Sequence, residues 1–349
     1  MTLMTKIPSF PEVTRDLHFD SALARPVFLV AVGYAVGRRT VTNDELARTT
    51  KIPAASILAL TGVQRRSYAP FEETEDLAFR ATQHLLSRLS PDTGSPGMLL
   101  FATTTPSSHI PATAMHLHRR LYPAGGGPPA LDIGGSCAAF MTGLVAARSL
   151  VGSGAVDSLL LVNAEKKTRH LCPVHAPETA LLFGDGASAA WICARPPAGR
   201  TVLRLTRLRI GADGSAADLV TYGFDPESGR KILHMEGGGL FRKAVRTLSR
   251  EIGRLMEEEG LSPEETGALV LHQANRRIVS GISERLGFPR EKVPLTLCDH
   301  GNTSSASLGI TLGDFFGEEG RRLPRAPLLL GAAGGGITWG VGRLDPVET

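Results

Sequence analysis

The sequence predicts an α/β protein with a mainly parallel, helix-covered sheet, laid down as two similar halves. Three observations carry this expectation. Short β-branched apolar runs alternate with segments whose apolar residues recur at helical spacing. The same strand–turn–helix order returns after a Pro/Gly cluster, RPPAGR, at 195–200. Glycine is abundant, at 39 residues, and aromatics make up only 5%, which suits tight turns and close backbone contacts.

Residues 1–25 read as an N-terminal extension. PVFLVAVGYAV (26–36) is a buried strand. TNDELARTTKI (42–52) opens on a capping signal, Thr42 or Asn43 followed by Glu45, and reads as a short helix. TEDLAFRATQHLLSRL (74–89) has helical periodicity, and GMLLFATTT (97–105) is a strand running into a threonine-rich loop. ALDIGG (130–135) precedes a helix over 137–151, and SLLLVNAE (158–165) is a further buried strand. LLFGDGASAAWICA (181–194) reads as two short strands joined through Gly184–Gly186.

The second half repeats the pattern. TVLRLTRLRIGA (201–212) is strand-like, and GLFRKAVRTLSREIGRLMEEEG (239–260) is an amphipathic helix stopped by Gly260. ALVLHQAN (268–275) and VPLTL (293–297) read as strands around the helix RRIVSGISERLG (276–287). APLLLGAAGGGITWGVGRL (326–344) supplies paired strands around glycines. The expected halves are 26–198 and 199–349.

A net charge of +4 is a mild excess, compatible with anionic partners such as CoA phosphates or an acidic carrier protein. No Lys/Arg block or basic–aromatic alternation is present, so no nucleic acid partner is expected. Cys137, Cys172, Cys193 and Cys298 are unpaired in spacing, which points to neither a disulfide framework nor a zinc ribbon. A reduced cytoplasmic setting is the expectation. The opening residues lack an apolar signal core, and no run approaches the roughly 20 apolar residues of a membrane helix. No membrane insertion is expected.

Three residues stand where chemistry is feasible. Cys137 falls at a helix start, where backbone N–H groups and the helix dipole favour a thiolate and can hold an oxyanion. A buried small cysteine in a tight turn explains the same spacing equally well. His272 ends a buried strand, facing the crevice where α/β proteins bind ligands, or it is a satisfied core histidine. Asn302, in HGNTSS, is a site residue or a helix cap. Cys172-Pro-Val-His175 and Cys298-Asp-His300 each suggest metal, but neither has a second ligand pair, so no metal is expected. Gly331–Gly336 lacks the Lys-Ser/Thr of a phosphate loop, and no G-x-S-x-G elbow occurs.

In order along the chain come TGVQRRSYA (61–69), ATTTPSSHIPATA (102–114), DIGGSCAAFMTGL (132–144), LLFGDGASAA (181–190), HQANRRI (272–278), GNTSSAS (301–307) and GGGITWG (334–340). Together they resemble the β-ketoacyl-acyl carrier protein synthase III family of the thiolase fold. The resemblance spans about Val27 to Leu344. It implies a five-layered α-β-α-β-α fold of two similar halves, usually a homodimer, with Cys137, His272 and Asn302 as the catalytic set.

The implied reaction acylates Cys137 and condenses that group with a malonyl- or β-ketoacyl-type thioester on a carrier protein. Backbone N–H groups of Cys137 and the Gly334–Gly336 turn, Gly335 in particular, would hold the oxyanion. No metal or redox cofactor is implied. Arg242 and Arg277 match basic positions near the tunnel mouth and are expected to dock the carrier, or they are solvated helix charges.

Departures from the family pattern matter. Ser56 and Leu60 stand where members that prime from CoA carry tryptophan and arginine, and Ala176 or Pro177 replaces a second arginine. These weaken the case for acyl-CoA and favour a carrier-borne donor. Ile110, Ala333 and Ile337 replace phenylalanines and, with Phe140, form the expected acyl pocket, reshaped for a group other than acetyl. A specialised lipid or polyketide pathway follows as the expectation. The alternatives are acyl transfer to a hydroxyl or amine without decarboxylation, and a non-catalytic partner subunit.

Overall fold

A computed structural model describes residues 25–315 and 323–349; of the expected N-terminal extension only Arg25 lies among them. Strands Phe28–Val36 and Thr201–Ala216 meet at the centre, antiparallel, pairing at Phe28–Arg204 and Leu29–Leu203. Outward from this seam the two sides mirror each other. Gly186–Cys193, Ser158–Glu165 and Leu99–Ala102 follow on one side. Gly336–Glu348, Leu328–Gly334 and Ala268–Leu271 follow on the other. Ala130–Asp132 adds an edge to the first side.

The directions mirror as well. On each side the inner strands are antiparallel and the outermost shared pair is parallel. The expectation of a mainly parallel sheet is therefore corrected to a mixed one. The reason is local: Leu328–Gly334 turns directly into Gly336–Glu348, and so short a connection permits only antiparallel pairing.

The layers follow from the two-residue period of the strands. Leu99 and Phe101 point into a core with Leu77 and Leu85 of the helix Thr74–Leu86. Leu100, between them, points into a different core with Leu144 and Ala147 of the helix Ala139–Gly152. The second side repeats this. Ala268 and Val270 face that same central core, to which Leu308 and Leu312 of the helix Ser307–Phe315 belong. Leu269 and Leu271 face Leu248, Ile252 and Leu255 of the helix Gly237–Glu259. Two sheet halves thus sandwich two central helices and carry an outer helical layer each, five layers in all. Among the described residues no helix is long and apolar enough to cross a membrane.

Most element boundaries follow local signals. The Thr42 hydroxyl accepts the Glu45 N–H at 3.3 Å and opens the helix Asn43–Thr50. Gly260, at φ 61°, closes Gly237–Glu259 in the left-handed conformation. Two expectations fail. Of 181–194, only Gly186–Cys193 is a strand; Leu181–Gly184 instead holds the Asn302 backbone, through Asn302 N–H to Leu182 O (2.9 Å) and Gly184 N–H to Asn302 O (3.1 Å). A Cβ on Gly184 would overlap the His300 carbonyl, so this approach requires glycine.

VPLTL (293–297) is not a strand. Pro294 has no N–H, and the other backbone groups find a side chain in place of a ladder. The buried Gln273 amide donates to Pro294 O at 3.3 Å and accepts the N–H groups of Thr296 (3.1 Å) and Leu297 (3.2 Å). Gln273→Leu orphans two buried N–H groups and should lower stability by roughly 2–4 kcal/mol. Thermal unfolding reads this directly, and an unchanged midpoint would show that the segment does not depend on Gln273.

Candidate active site

The strand Ala130–Asp132 runs through Gly134 and Gly135 into a 3-10 turn, Ser136–Ala138, which leads into the helix Ala139–Gly152. Cys137 sits in that turn. Gly334 closes on it: a Cβ there would lie 2.6 Å from the Cys137 nitrogen. The Cys137 Sγ is 3.3 Å from the Ser304 Oγ of the opposite half.

His272 follows directly on the strand Ala268–Leu271 and is buried. Its backbone N–H donates to Gly331 O at 2.8 Å. Its Nδ1 lies 2.5 Å from the Ser307 hydroxyl, which also accepts the Gln273 N–H at 3.2 Å. Burial, and behind it the Lys167 ammonium, pushes the His272 pKa down to about 3, so the ring is neutral at physiological pH. The Asn302 amide is fixed at both ends. Its Nδ2 donates to Ala274 O at 3.2 Å, and its Oδ1 accepts the Ser304 N–H at 2.8 Å.

Cys137, His272 and Asn302 open together on one cavity of about 770 Å³. Gly334 and Gly335 form part of its wall, and so does Ala333. Arg242 and Arg277, both exposed, also line it. Leu60 and Pro177 contribute apolar wall, and Ser56 is exposed. Phe140 and Ile337 are not part of the lining; they belong to the central core and to the outer core of the second side. Ile110 is 87% exposed on the single chain.

The motif reading missed the polar support of the site. Glu165 and Lys167 are both buried, with Nζ 3.6 Å from Glu165 Oε2. Lys167 also donates to the Thr104 hydroxyl. The Glu165 carboxylate accepts hydroxyls of Thr104 (2.7 Å), Thr105 (3.1 Å) and Ser305 (2.6 Å), the last beside Ser304. Burial opposes the Lys167 charge, but the Glu165 carboxylate, Tyr222 and Cys137 together outweigh it and the pKa moves up. A permanent positive charge therefore stands behind the cavity wall. The available signal was an acidic residue ending the apolar run SLLLVNAE, directly before two lysines.

Residues 131–214 match the family profile described as 3-oxoacyl-[acyl-carrier-protein (ACP)] synthase III, and residues 256–344 match that of its C-terminal region. The β-ketoacyl-[acyl-carrier-protein] synthase III 3 of Streptomyces coelicolor is 36% identical over 346 residues, 93% of this chain and 100% of its own. The synthase III of Nitratidesulfovibrio vulgaris is 33% identical over 332 residues, 92% and 99% of the two chains. Among solved structures, the synthase III of Aquifex aeolicus superposes with a TM-score of 0.82 at 30% identity, over 91% and 99% of the chains. The priming β-ketosynthase of a polyketide biosynthetic pathway gives 0.83 at 27%, over 93% and 98%.

Fold and relatives define a thiolase-fold condensing enzyme, an acyltransferase. The chain belongs to the β-ketoacyl-[acyl-carrier-protein] synthase III family.

The Lys167 charge makes a testable contribution. Below pH 6.5 the unfolded chain takes up a proton that the folded His272 refuses, so this term of stability is lost as pH falls from 6.5 towards 3. Lys167→Met alone leaves Glu165 buried and unpaired, costing roughly 3–5 kcal/mol, so Lys167→Met with Glu165→Gln is the informative variant. It should move the His272 pKa upward, followed through the ring nitrogen shifts by NMR. An unmoved value would mean that burial alone keeps the ring neutral.

Proposed function

We propose that the chain forms a carbon–carbon bond by decarboxylative Claisen condensation. An acyl group on Cys137 is the electrophile, and a malonyl-type thioester on an acyl carrier protein, whose free carboxylate leaves as CO₂, is the nucleophile precursor. The observation that supports this reading is the convergence of Cys137, His272 and Asn302 on one cavity, with Gly334 against the Cys137 nitrogen.

In this reading Cys137 Sγ attacks the donor thioester carbon, and the donor's C–S bond breaks, releasing its thiol. N–H groups of Cys137 and of the Gly334–Gly336 turn, Gly335 among them, hold the oxyanion. Ser307 already accepts the Gln273 N–H and turns its own proton to His272 Nδ1, leaving Nε2–H as a donor. That group and Asn302 Nδ2–H donate to the extender's thioester carbonyl. The C–C bond to the carboxylate breaks, CO₂ leaves, and the electron pair becomes an enolate. Its carbon attacks the acyl-Cys, whose C–S bond breaks and returns the Cys137 thiolate. No metal or redox cofactor takes part.

The half at 26–198 supplies the nucleophile and the half at 199–349 the carbonyl donors. Arg242 and Arg277 on the cavity rim dock the acidic carrier. Leu60 and Pro177 leave the rim without the family's CoA-holding arginines, which supports a carrier-borne donor over acyl-CoA. The enzyme acts as a homodimer in the cytoplasm, and the exposed Ile110 reaches the partner's acyl pocket. Likeness to a polyketide priming ketosynthase supports a specialised pathway with a starter other than acetyl.

Intact-protein mass spectrometry should detect an acyl adduct on the wild type and none on Cys137→Ala. His272→Ala and Asn302→Ala should still acylate yet lose about 10²–10³-fold in CO₂ release from labelled malonyl carrier. Acyl transfer to a hydroxyl or amine with no CO₂ released would replace condensation with the simpler reaction. Exclusive loading with acetyl would refute the starter reading.

Reversing both rim charges, Arg242→Glu with Arg277→Glu, should raise KM for the carrier about tenfold and leave kcat in place. Equal acylation by acyl-CoA and acyl carrier at low concentrations would defeat the donor preference.

A further inference from the structure

Cys172-Pro-Val-His175 offers two ligand types at short spacing, and the fold brings a third to them. Asp225 Oδ2 lies 3.3 Å from Cys172 Sγ and 2.6 Å from His175 Nδ1, and the sulfur is 3.8 Å from that nitrogen. Tetrahedral zinc, with bonds of about 2.3 Å to sulfur and about 2.0–2.1 Å to nitrogen and oxygen, sets its ligand atoms roughly 3.3–3.6 Å apart. To reach that spacing the N···O edge must open from 2.6 Å and the S···N edge close slightly from 3.8 Å, while the S···O edge at 3.3 Å already fits. Among the described residues this is the one group of three such ligands.

Two separate segments build it. Cys172 and His175 share a turn closed by the Ala176 N–H on Cys172 O at 2.9 Å. Asp225 stands at the tip of the hairpin Val220–Phe224 and Lys231–Met235, whose loop is closed by the Asp225 N–H on Arg230 O at 2.7 Å. The carboxylate is already aimed. Its Oδ1 accepts the N–H groups of Glu227 (3.2 Å) and Ser228 (2.7 Å) and the Ser228 hydroxyl (2.8 Å). Its Oδ2 is thereby turned to the thiol and the imidazole. Such outer hydrogen bonds are how metal sites orient their ligands. Glu227 on the same loop has Oε1 3.5 Å from His175 Nε2, on the far side of the ring from the cluster, which leaves the fourth position to water.

We propose that Cys172, His175 and Asp225 bind one zinc ion. Thiolate, imidazole and carboxylate together select a borderline ion, whereas calcium and magnesium take oxygen ligands. On binding, the Cys172 thiol gives its proton to solvent and His175 coordinates as the neutral ring. The ion ties the 172–176 turn to the 220–235 hairpin. Pro177 and Glu178, just past the turn, and Val220 and Met235, on the hairpin, line the catalytic cavity. The metal thus braces the cavity wall without touching the reacting groups. This revises the metal-free expectation, because the third ligand lies 50 residues beyond His175.

The test loads the full chain with Zn²⁺, removes free ion by desalting, and counts zinc by plasma mass spectrometry. The wild type and Cys137→Ser should both keep about one zinc per chain. Cys172→Ser and His175→Ala should bind at least roughly tenfold more weakly. Loaded with Co²⁺ instead, the wild type should show the visible bands of a tetrahedral site and a thiolate-to-cobalt charge-transfer band. No zinc on the wild type, or retention unchanged by Cys172→Ser, overturns the proposal. So does zinc lost in Cys137→Ser and kept in Cys172→Ser, which would move the ion to the catalytic cavity. Where Cys172→Ser fails to fold, the wild-type cobalt spectrum decides, and a spectrum without a thiolate band overturns it.

Discussion

Ser136 and Ser304 hold backbone conformations that side-chain-bearing residues rarely adopt, with φ of 51° and 53°. Each costs of order 1–3 kcal/mol and persists only where the surroundings over-determine it. Both stand at the head of a 3-10 turn that opens onto a central helix, one from each side of the molecule. The turns touch through Cys137 Sγ and Ser304 Oγ. What over-determines them is the shared central core, where Phe140 and Leu144 of one helix meet Leu308 and Leu312 of the other. Without that packing the thiol and the carboxamide would have no reason to converge.

Around this contact the polar groups leave little freedom. Asn302 spends its oxygen and one N–H on the protein, and His272 spends Nδ1 on Ser307. Each retains one donor for the cavity. The Lys167 ammonium lies behind the same wall, compensated by Glu165 and bonded to the Thr104 hydroxyl, while the Ser305 hydroxyl donates to Glu165. Burial, reinforced by that fixed positive charge, keeps the imidazole neutral, and the charge favours anions in its neighbourhood. Hydrogen-bond donor capacity at His272 and electrostatic bias from Lys167 thus come from different residues.

The strands with a clean apolar run were legible because their side chains alternate between two dry cores, as at Leu99–Ala102 and Ser158–Glu165. Helix ends marked by Thr42 and Gly260 were legible because capping is local. VPLTL was not, since its partner is the single side chain of Gln273 rather than a neighbouring strand. The mixed direction of the sheet also escaped, because direction depends on connections and not on composition. At the site, short motifs drew attention to Cys137, His272 and Asn302, while Lys167 and Asp225 gain their meaning only from long-range contacts. Phe140 and Ile337 illustrate the converse: residues at pocket positions by likeness belong to the buried cores and not to the cavity lining.

Among the described residues the hairpin Val220–Phe224 and Lys231–Met235 pairs with no third strand. A lone two-stranded ribbon is marginal in water, so it leans on whatever packs against it. Here Leu233 shares a small cluster with Phe183 and Leu297, and Val220 lies over Gly335. The cavity therefore rests on the central core beneath Cys137 and Asn302 and on a less stable element along the flank lined by Val220 and Met235. Tolerance for bulkier or branched guests would evolve by editing that ribbon, leaving the chemistry beneath it undisturbed.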